Sequence, residues 1–196
     1  MKKEFLLTAL VCIIMIANAQ NNTTDDGVVI NGVRWATRNV DKPGTFTANP
    51  EDFGGLYQWN RGTTDWEEDW NGNGASVWQL SNNPCPAGWR VPTQKELESL
   101  AHASVAATVN GVNGRLFSDI SEGNDGSVTL FLPAAGYRLL YGYDAKNSVG
   151  SHGYYWSSTD YGATVAFRLR FDLTTQVTAF SINSRAVASS VRCVAE

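Results

Sequence analysis

Several groups of residues in this chain have the right types to do chemistry. Cys85 and Cys193 carry sulfur, His102 and His152 carry imidazoles, and Ser151 stands directly before the second histidine. Glu67, Glu68 and Asp69 put three carboxylates in a row, and "DWNGNG", Asp69 to Gly74, spells the first half of a calcium loop. A cysteine nucleophile or metal ligand needs a base or co-ligands nearby, and neither histidine shares a local context with a cysteine. No CxxC, HExxH, G-x-S-x-G, phosphate loop or dinucleotide fingerprint occurs. Ser151-His152 has no partner acid at informative spacing. Glycoside hydrolysis needs two facing carboxylates, whereas Glu67 to Asp69 lie beside glycines as a solvated run. No acid, base and nucleophile set can be assembled, so the expectation is a protein that is not an enzyme.

The calcium pattern offers oxygens from Asp69, Asn71 and Asn73 and a sharp turn at Gly74. It fails at the far end, where Leu80 stands in place of an acidic bidentate ligand. One aspartate supplies little charge, so such a site would bind calcium weakly; the alternative is a plain series of Asn-Gly turns. No other cofactor is expected.

The aromatic inventory points to recognition. Trp66, Trp70 and Trp78, with Tyr141 and Tyr143 in "LLYGYDAKN", alternate with asparagine, aspartate and glycine. Aromatic faces stack on the apolar faces of sugars, and neighbouring amides and carboxylates take the hydroxyls. The competing reading is that these rings anchor long loops. Trp35, Trp89 and Trp156 lie in strand-like stretches or beside a helix start and read as core.

The N-terminus bears on the compartment in which this chemistry would operate. Lys2 and Lys3, an apolar run from Phe5 to Ile16 and Ala17-Asn18-Ala19 have the form of a signal peptide over residues 1–19. The run is short for a bilayer crossing, and nothing later approaches a membrane span. The expected localisation is export to the periplasm, cell surface or extracellular space. A net charge of −4 provides no basic stripe for nucleic acid. Of three cysteines, Cys12 would leave with the signal peptide. The remaining even pair reads first as a disulfide, whose long loop would contribute about 4 to 5 kcal/mol in the chain-entropy picture.

The elements that must hold these residues follow from pattern. Residues 20–26, "QNNTTDD", read as a flexible lead-in, and residues 27–196 as one domain. Val28 to Ile30 and Val33 to Val40 form a hairpin around an Asn31-Gly32 type I′ turn. Lys42 to Pro84 shows neither helical nor strand period; its tryptophans must pin it to the core. The spacing predicts one helix over about 93–105, with Thr93 as N-cap and Glu96 completing a capping box. Leu97, Leu100, Ala101 and Ser104 would line its inner face. Strand-like runs follow. In "TVAFRLRFD", Val165, Phe167, Leu169 and Phe171 share a core face, while Arg168, Arg170 and Asp172 share a wet one. Strands gathered after a lone helix argue for an α+β fold with mostly antiparallel strands and long irregular loops.

Four ordered blocks, "CPAGWRVPTQKEL", "LPAAGYR", "YYWSST" and "SVRCV", resemble the signature blocks of the Fibrobacter succinogenes major paralogous domain, a family of exported bacterial surface modules. The resemblance covers Gly27 to Glu196. The same blocks are similar to the C-terminal domain of the Legionella collagen-like adhesin and, more remotely, to C-type-lectin-like and formylglycine-generating-enzyme folds. A lectin-like fold implies a disulfide between Cys85 and Cys193, because such folds bond a cysteine near the first long helix to one in the last strand. Cys85 departs from that pattern by preceding the helix. The resemblance brings no catalytic residues, and the paired C-terminal cysteines of formylglycine-generating enzymes are missing.

The functional expectation is a non-catalytic secreted or cell-surface binding module. Its partner would be a glycan or another extracellular polymer, held by the irregular segment Phe53 to Leu80 together with the Leu139 to Tyr155 turn region. The alternative is a structural adhesin or pilus-associated subunit that contacts a surface protein.

Overall fold

A computed structural model describes residues 22–139, 146–174 and 177–196. The expected signal peptide, residues 1–19, lies outside the described residues, as do Tyr141 and Tyr143. In chain order the strands are β1 Val28–Ile30, β2 Val33–Trp35, β3 Tyr57–Gln58, β4 Trp89–Arg90, β5 Ser104–Val109, β6 Val112–Ser118, β7 Thr129–Pro133, β8 Tyr137–Arg138, β9 Lys146–Asn147, β10 His152–Gly162, β11 Val165–Asp172, β12 Val177–Ser184, β13 Ala188–Ser189 and β14 Val194–Ala195. One α-helix, α1 Gln94–Leu100, separates β4 from β5. Among the described residues the fold is thus mostly antiparallel strands with a single α-helix, as the α+β reading expects.

The first two strands and the last meet in one sheet, ordered β1-β2-β14-β4. Val194 pairs with Trp35 on one side and Arg90 on the other. The β1–β2 hairpin turns as predicted, with positive φ at Asn31 and Gly32. The Cys85–Cys193 disulfide links the chain just before β4 to the chain just before β14, with Cα atoms 6.1 Å apart. The remaining sheets are β5-β6-β7, β10-β11-β12 and β3-β13-β8-β9.

Helix α1 begins where the capping box requires: Thr93 Oγ1 accepts from Glu96 N–H, and the Glu96 carboxylate accepts from Thr93 N–H. Arg90 donates twice to that carboxylate, at 2.6 and 2.9 Å. Burial alone would raise the Glu96 carboxyl, but the Arg90 and Thr93 hydrogen bonds outweigh it and hold the group below its ordinary value. The helix ends at Leu100, short of the expected boundary, and Ser104 opens β5 instead of lining a helix face. Pairing with β6 wins here. "SVAATV", with β-branched Val105, Thr108 and Val109, faces Val112 to Phe117 across a hairpin whose turn, Asn110-Gly111, repeats the Asn-Gly chemistry of β1–β2.

Two further segments are held by specific contacts. The part of the lead-in that is described is anchored: Asp25 accepts from the N–H groups of Gly27 and Thr37, from Thr37 Oγ1 and from Arg38 Nε. The predicted wet face of β11 is also covered. Arg168 is only 5% exposed, because Tyr154 and Trp156 from β10 and Tyr137 from β8 close over its guanidinium. Arg170 and Asp172 are half-buried. The opposite face behaves as predicted at Leu169 and Phe171, which pack with Leu97, Leu100 and Phe117. Phe171 lies so close over Gly153 that an added Cβ would stand 2.1 Å from the ring.

The core therefore has two parts. One is aliphatic and phenylalanine-rich, gathered around α1 and β5 to β12. The other is built from Trp59, Trp78, Trp89, Trp156, Tyr57, Phe46 and the disulfide.

Candidate functional site

The irregular segment after β3 is held by buried side chains that donate to its backbone carbonyls. Gln58 Nε2 donates to Glu67 O and Ala186 O, and Asn60 Nδ2 to Gly72 O. The indoles of Trp59, Trp70, Trp78 and Trp156 donate to the carbonyls of Ser157, Trp59, Asn82 and Tyr57. Arg185, 1% exposed, is the hub. Its guanidinium lies 4.1 Å from the Trp59 ring centre and donates to Asn71 O, Ala75 O, Gly162 O and Val165 O, with the Asp160 carboxylate 3.6 Å away. Gly72 takes φ +77° here, and a side chain at that position would meet Trp59 at 2.9 Å.

This arrangement decides the fate of the calcium pattern. Asn71 Oδ1 accepts from Asn73 N–H, and Asn73 takes positive φ, so "NGNG" forms the turn series. The carbonyls of Asn71 and Ala75 already face a cation, the guanidinium of Arg185. A calcium ion placed among them would be repelled by it. Asp69 and Asn73 point to solvent. Among the described residues no group of three or more His, Cys, Asp and Glu is placed to hold a metal ion.

The predicted recognition aromatics are divided. Trp78 lines a separate cleft with Val77, Leu80 and Val91, but it is 7% exposed and packs edge-on against Trp59 in the core. The reason is its indole N–H, which finds its acceptor inside the fold. Trp70 is half-buried, with the Arg61 guanidinium 4.7 Å over its ring. Trp66 is half-buried at the wall of a cleft of about 270 Å³. Arg138 from β8 lies 5.0 Å over its ring, and Asp41, Lys42, Gln58, Asp65 and Lys146 share the lining. The Trp66 indole N–H is buried and meets no acceptor among the described residues. The cleft thus unites the irregular segment with Arg138 of β8 and Lys146 of β9.

The remaining candidates are dispersed. His102 is exposed past the end of α1, and Glu67 pairs with Arg61 at 2.9 Å. Ser151 Oγ lies 3.0 Å from His152 Nδ1, but it also lies 3.0 Å from Ser148 O, to which it donates. His152 stacks on Tyr154.

Sequence reasoning missed the buried arginines. Arg192 is fully buried; it donates to Asn39 Oδ1 and Ala36 O, and burial pushes it down to about 10. Burial likewise pushes Arg168 down to about 10, and both stay protonated at neutral pH. Tyr155, whose hydroxyl donates to Pro133 O at 2.6 Å, is pushed up to about 12 by burial. For Arg185 the available signal was the excess of glycine and asparagine in residues 42–84, whose buried carbonyls need donors from elsewhere.

No helix of the described residues is long and apolar enough to cross a membrane. Comparison with curated proteins and with solved structures gave no match. The family model described as the Fibrobacter succinogenes major domain matches residues 15–195. Over nearly its whole length, then, the chain belongs to the Fibrobacter succinogenes major domain family.

Proposed function

We propose that this chain is a non-catalytic, exported binding module that recognises a glycan or another extracellular polymer through the Trp66 cleft. The observation that carries the reading is the meeting of Trp66 and Arg138, from distant parts of the chain, at the wall of an open cleft with both polar and apolar lining. An aromatic ring beside charged and amide groups suits a sugar, whose C–H face is apolar and whose rim is hydroxylated. Support for export comes from the signal-peptide form of residues 1–19 and from the disulfide, a bond of oxidising compartments. The C-type-lectin-like reading belongs to this proposal. It is supported by a terminal strand stapled to the start of the helical region and by a long irregular segment on one side. Binding calls for no cofactor.

The test is retention of the folded chain on a panel of immobilised polysaccharides and host glycans, with Trp66→Ala as the paired variant. Retention that Trp66→Ala reduces tenfold or more supports the reading. Retention indifferent to Trp66, or turnover of any polymer, removes it.

A second reading, an adhesin or pilus-associated subunit that contacts protein, is favoured by one observation. Strand β12 stands at the edge of its sheet and exposes Phe180 at 68% and Ile182 at 43%, without a charged residue along its length. Loss of co-purification with a surface assembly after Phe180→Lys would favour it.

A further inference from the structure

We infer that this chain associates with a second copy of itself through the face formed by β12 and the end of α1. The inference is independent of the binding-module reading, because this face and the Trp66 cleft share no residue. Phe180 and Ile182 lie two apart on β12 and so share one side of it. Ile182 stands directly opposite Phe167 in the β11–β12 pair, and Tyr161 packs edge-on against Phe167 with ring centres 5.1 Å apart. Tyr161 is 59% exposed, so it extends the apolar surface that Phe180 and Ile182 begin. Beside Phe180 a groove of about 410 Å³ lies between α1 and β12, with Ala101 and Ala179 in its lining and Glu98 and His102 on the helix side.

The surface is complementary to itself, which selects a second copy as its occupant. A two-fold contact sets one patch against its own image, so residues near the axis meet their own kind. β12 carries no charged residue over Val177–Ser184, and such a contact therefore opposes no like charges there. The exposed Phe180 ring and the groove lie side by side, so each ring enters the other copy's groove and both are filled at once. Glu98 and His102 share that groove, and the same rotation sets each carboxylate against the other copy's imidazole, an N–H donor in either protonation state. A foreign strand fits less well. The N–H groups of Phe180 and Ser184 are taken by Thr178 Oγ1 and Asn183 Oδ1, and the β11–β12 register shifts between Arg168 and Arg170. The edge is thus blunted for strand addition, and contact falls to the side chains. A few apolar side chains and one groove make a small interface, so monomer and dimer exchange with concentration.

The experiment is sedimentation velocity of the full exported chain from about 1 μM to about 1 mM, with a melting curve for every variant. The expected result is a reversible monomer–dimer equilibrium whose dissociation constant rises about tenfold or more in Phe180→Asp. Phe180 is mostly exposed, so that variant should melt with the parent; should it fail to fold, Ile182→Asp carries the same test. His102→Glu should also dissociate the dimer by setting carboxylates against each other, and Glu98→Lys added to it should restore association. A monomer at every concentration overturns the inference. A dimer indifferent to Phe180→Asp, or one that the charge exchange does not rescue, overturns it as well. A monomer whose Phe180→Lys variant loses a surface assembly overturns this inference and leaves the adhesin reading standing.

Discussion

The sheets around α1 and the irregular segment after β3 both bury backbone, and they satisfy it in different ways. In the β10–β11–β12 sheet the backbone is paired chiefly through antiparallel ladders, so side chains are free to be aliphatic or aromatic. The carbonyls of Glu67, Asn71, Gly72 and Ala75 have no ladder and depend on donors from Gln58, Asn60 and Arg185. A buried carbonyl without a partner costs about 1 to 3 kcal/mol. The first region therefore spreads its stability over many equivalent bonds and is sensitive chiefly to volume. The second concentrates it in a few polar side chains and is sensitive to chemistry.

Removing the hub should give the largest effect. Arg185→Met keeps most of the volume and deletes the donors to Asn71, Ala75, Gly162 and Val165. It should cost about 4 kcal/mol in urea unfolding, since breaking a buried charged network strands its partners. Proteolysis should then cut first within residues 61–82. Arg185→Lys should not rescue, because a point ammonium cannot serve carbonyls on several sides at once. A loss below about 1 kcal/mol would show that the two regions do not differ in this way.

The ladder region should respond to a single methyl group. Gly153→Ala puts a carbon against the Phe171 ring and should cost about 2 kcal/mol from overpacking. Adding Phe171→Leu should recover part of that loss, and the cleavage pattern of residues 61–82 should stay as in the parent. Loosening of that segment by Gly153→Ala would mean that the two cores melt as one.

The smallest effect belongs to the junction between them. Glu96→Gln weakens the capping box and the Arg90 pair, at a cost of about 1 kcal/mol near neutral pH. Glu96 has a folded pKa below its ordinary value. Its contribution is therefore complete above the unfolded value of about 4.3 and is lost as pH falls through the folded one. Melting curves of parent and variant should run parallel above about pH 5 and converge in acid. A gap that stays constant down to pH 2 would rule out the carboxylate as its source.

Local chemistry was legible wherever it is local. The Asn31-Gly32 turn, the Thr93 to Glu96 capping box and the core alternation at Leu169 and Phe171 all stand where pattern placed them. The β5–β6 hairpin was missed although Asn110-Gly111 repeats the same turn signal. The burial of Trp78 was not legible for a different reason. An indole in a glycine- and asparagine-rich stretch has one composition whether it faces solvent or Trp59, and only the position of the Asn82 carbonyl distinguishes the two.

By itself the sequence determined the family blocks, the α+β class and an even cysteine pair suited to a disulfide. These rest on short-range rules: turn φ values, helix caps, alternation and residue counting. Only the tertiary structure decided that Arg185 donates to the Asn71 and Ala75 carbonyls of the apparent calcium loop, that Arg168 lies under aromatic rings, and that Trp66 meets Arg138 and Lys146 in one cleft. The physical reason is that hydrogen-bond donors and charges act over a few ångströms of space, whatever their separation along the chain. A buried carbonyl in an irregular segment specifies that a donor must come, and the packing of the whole fold specifies which one.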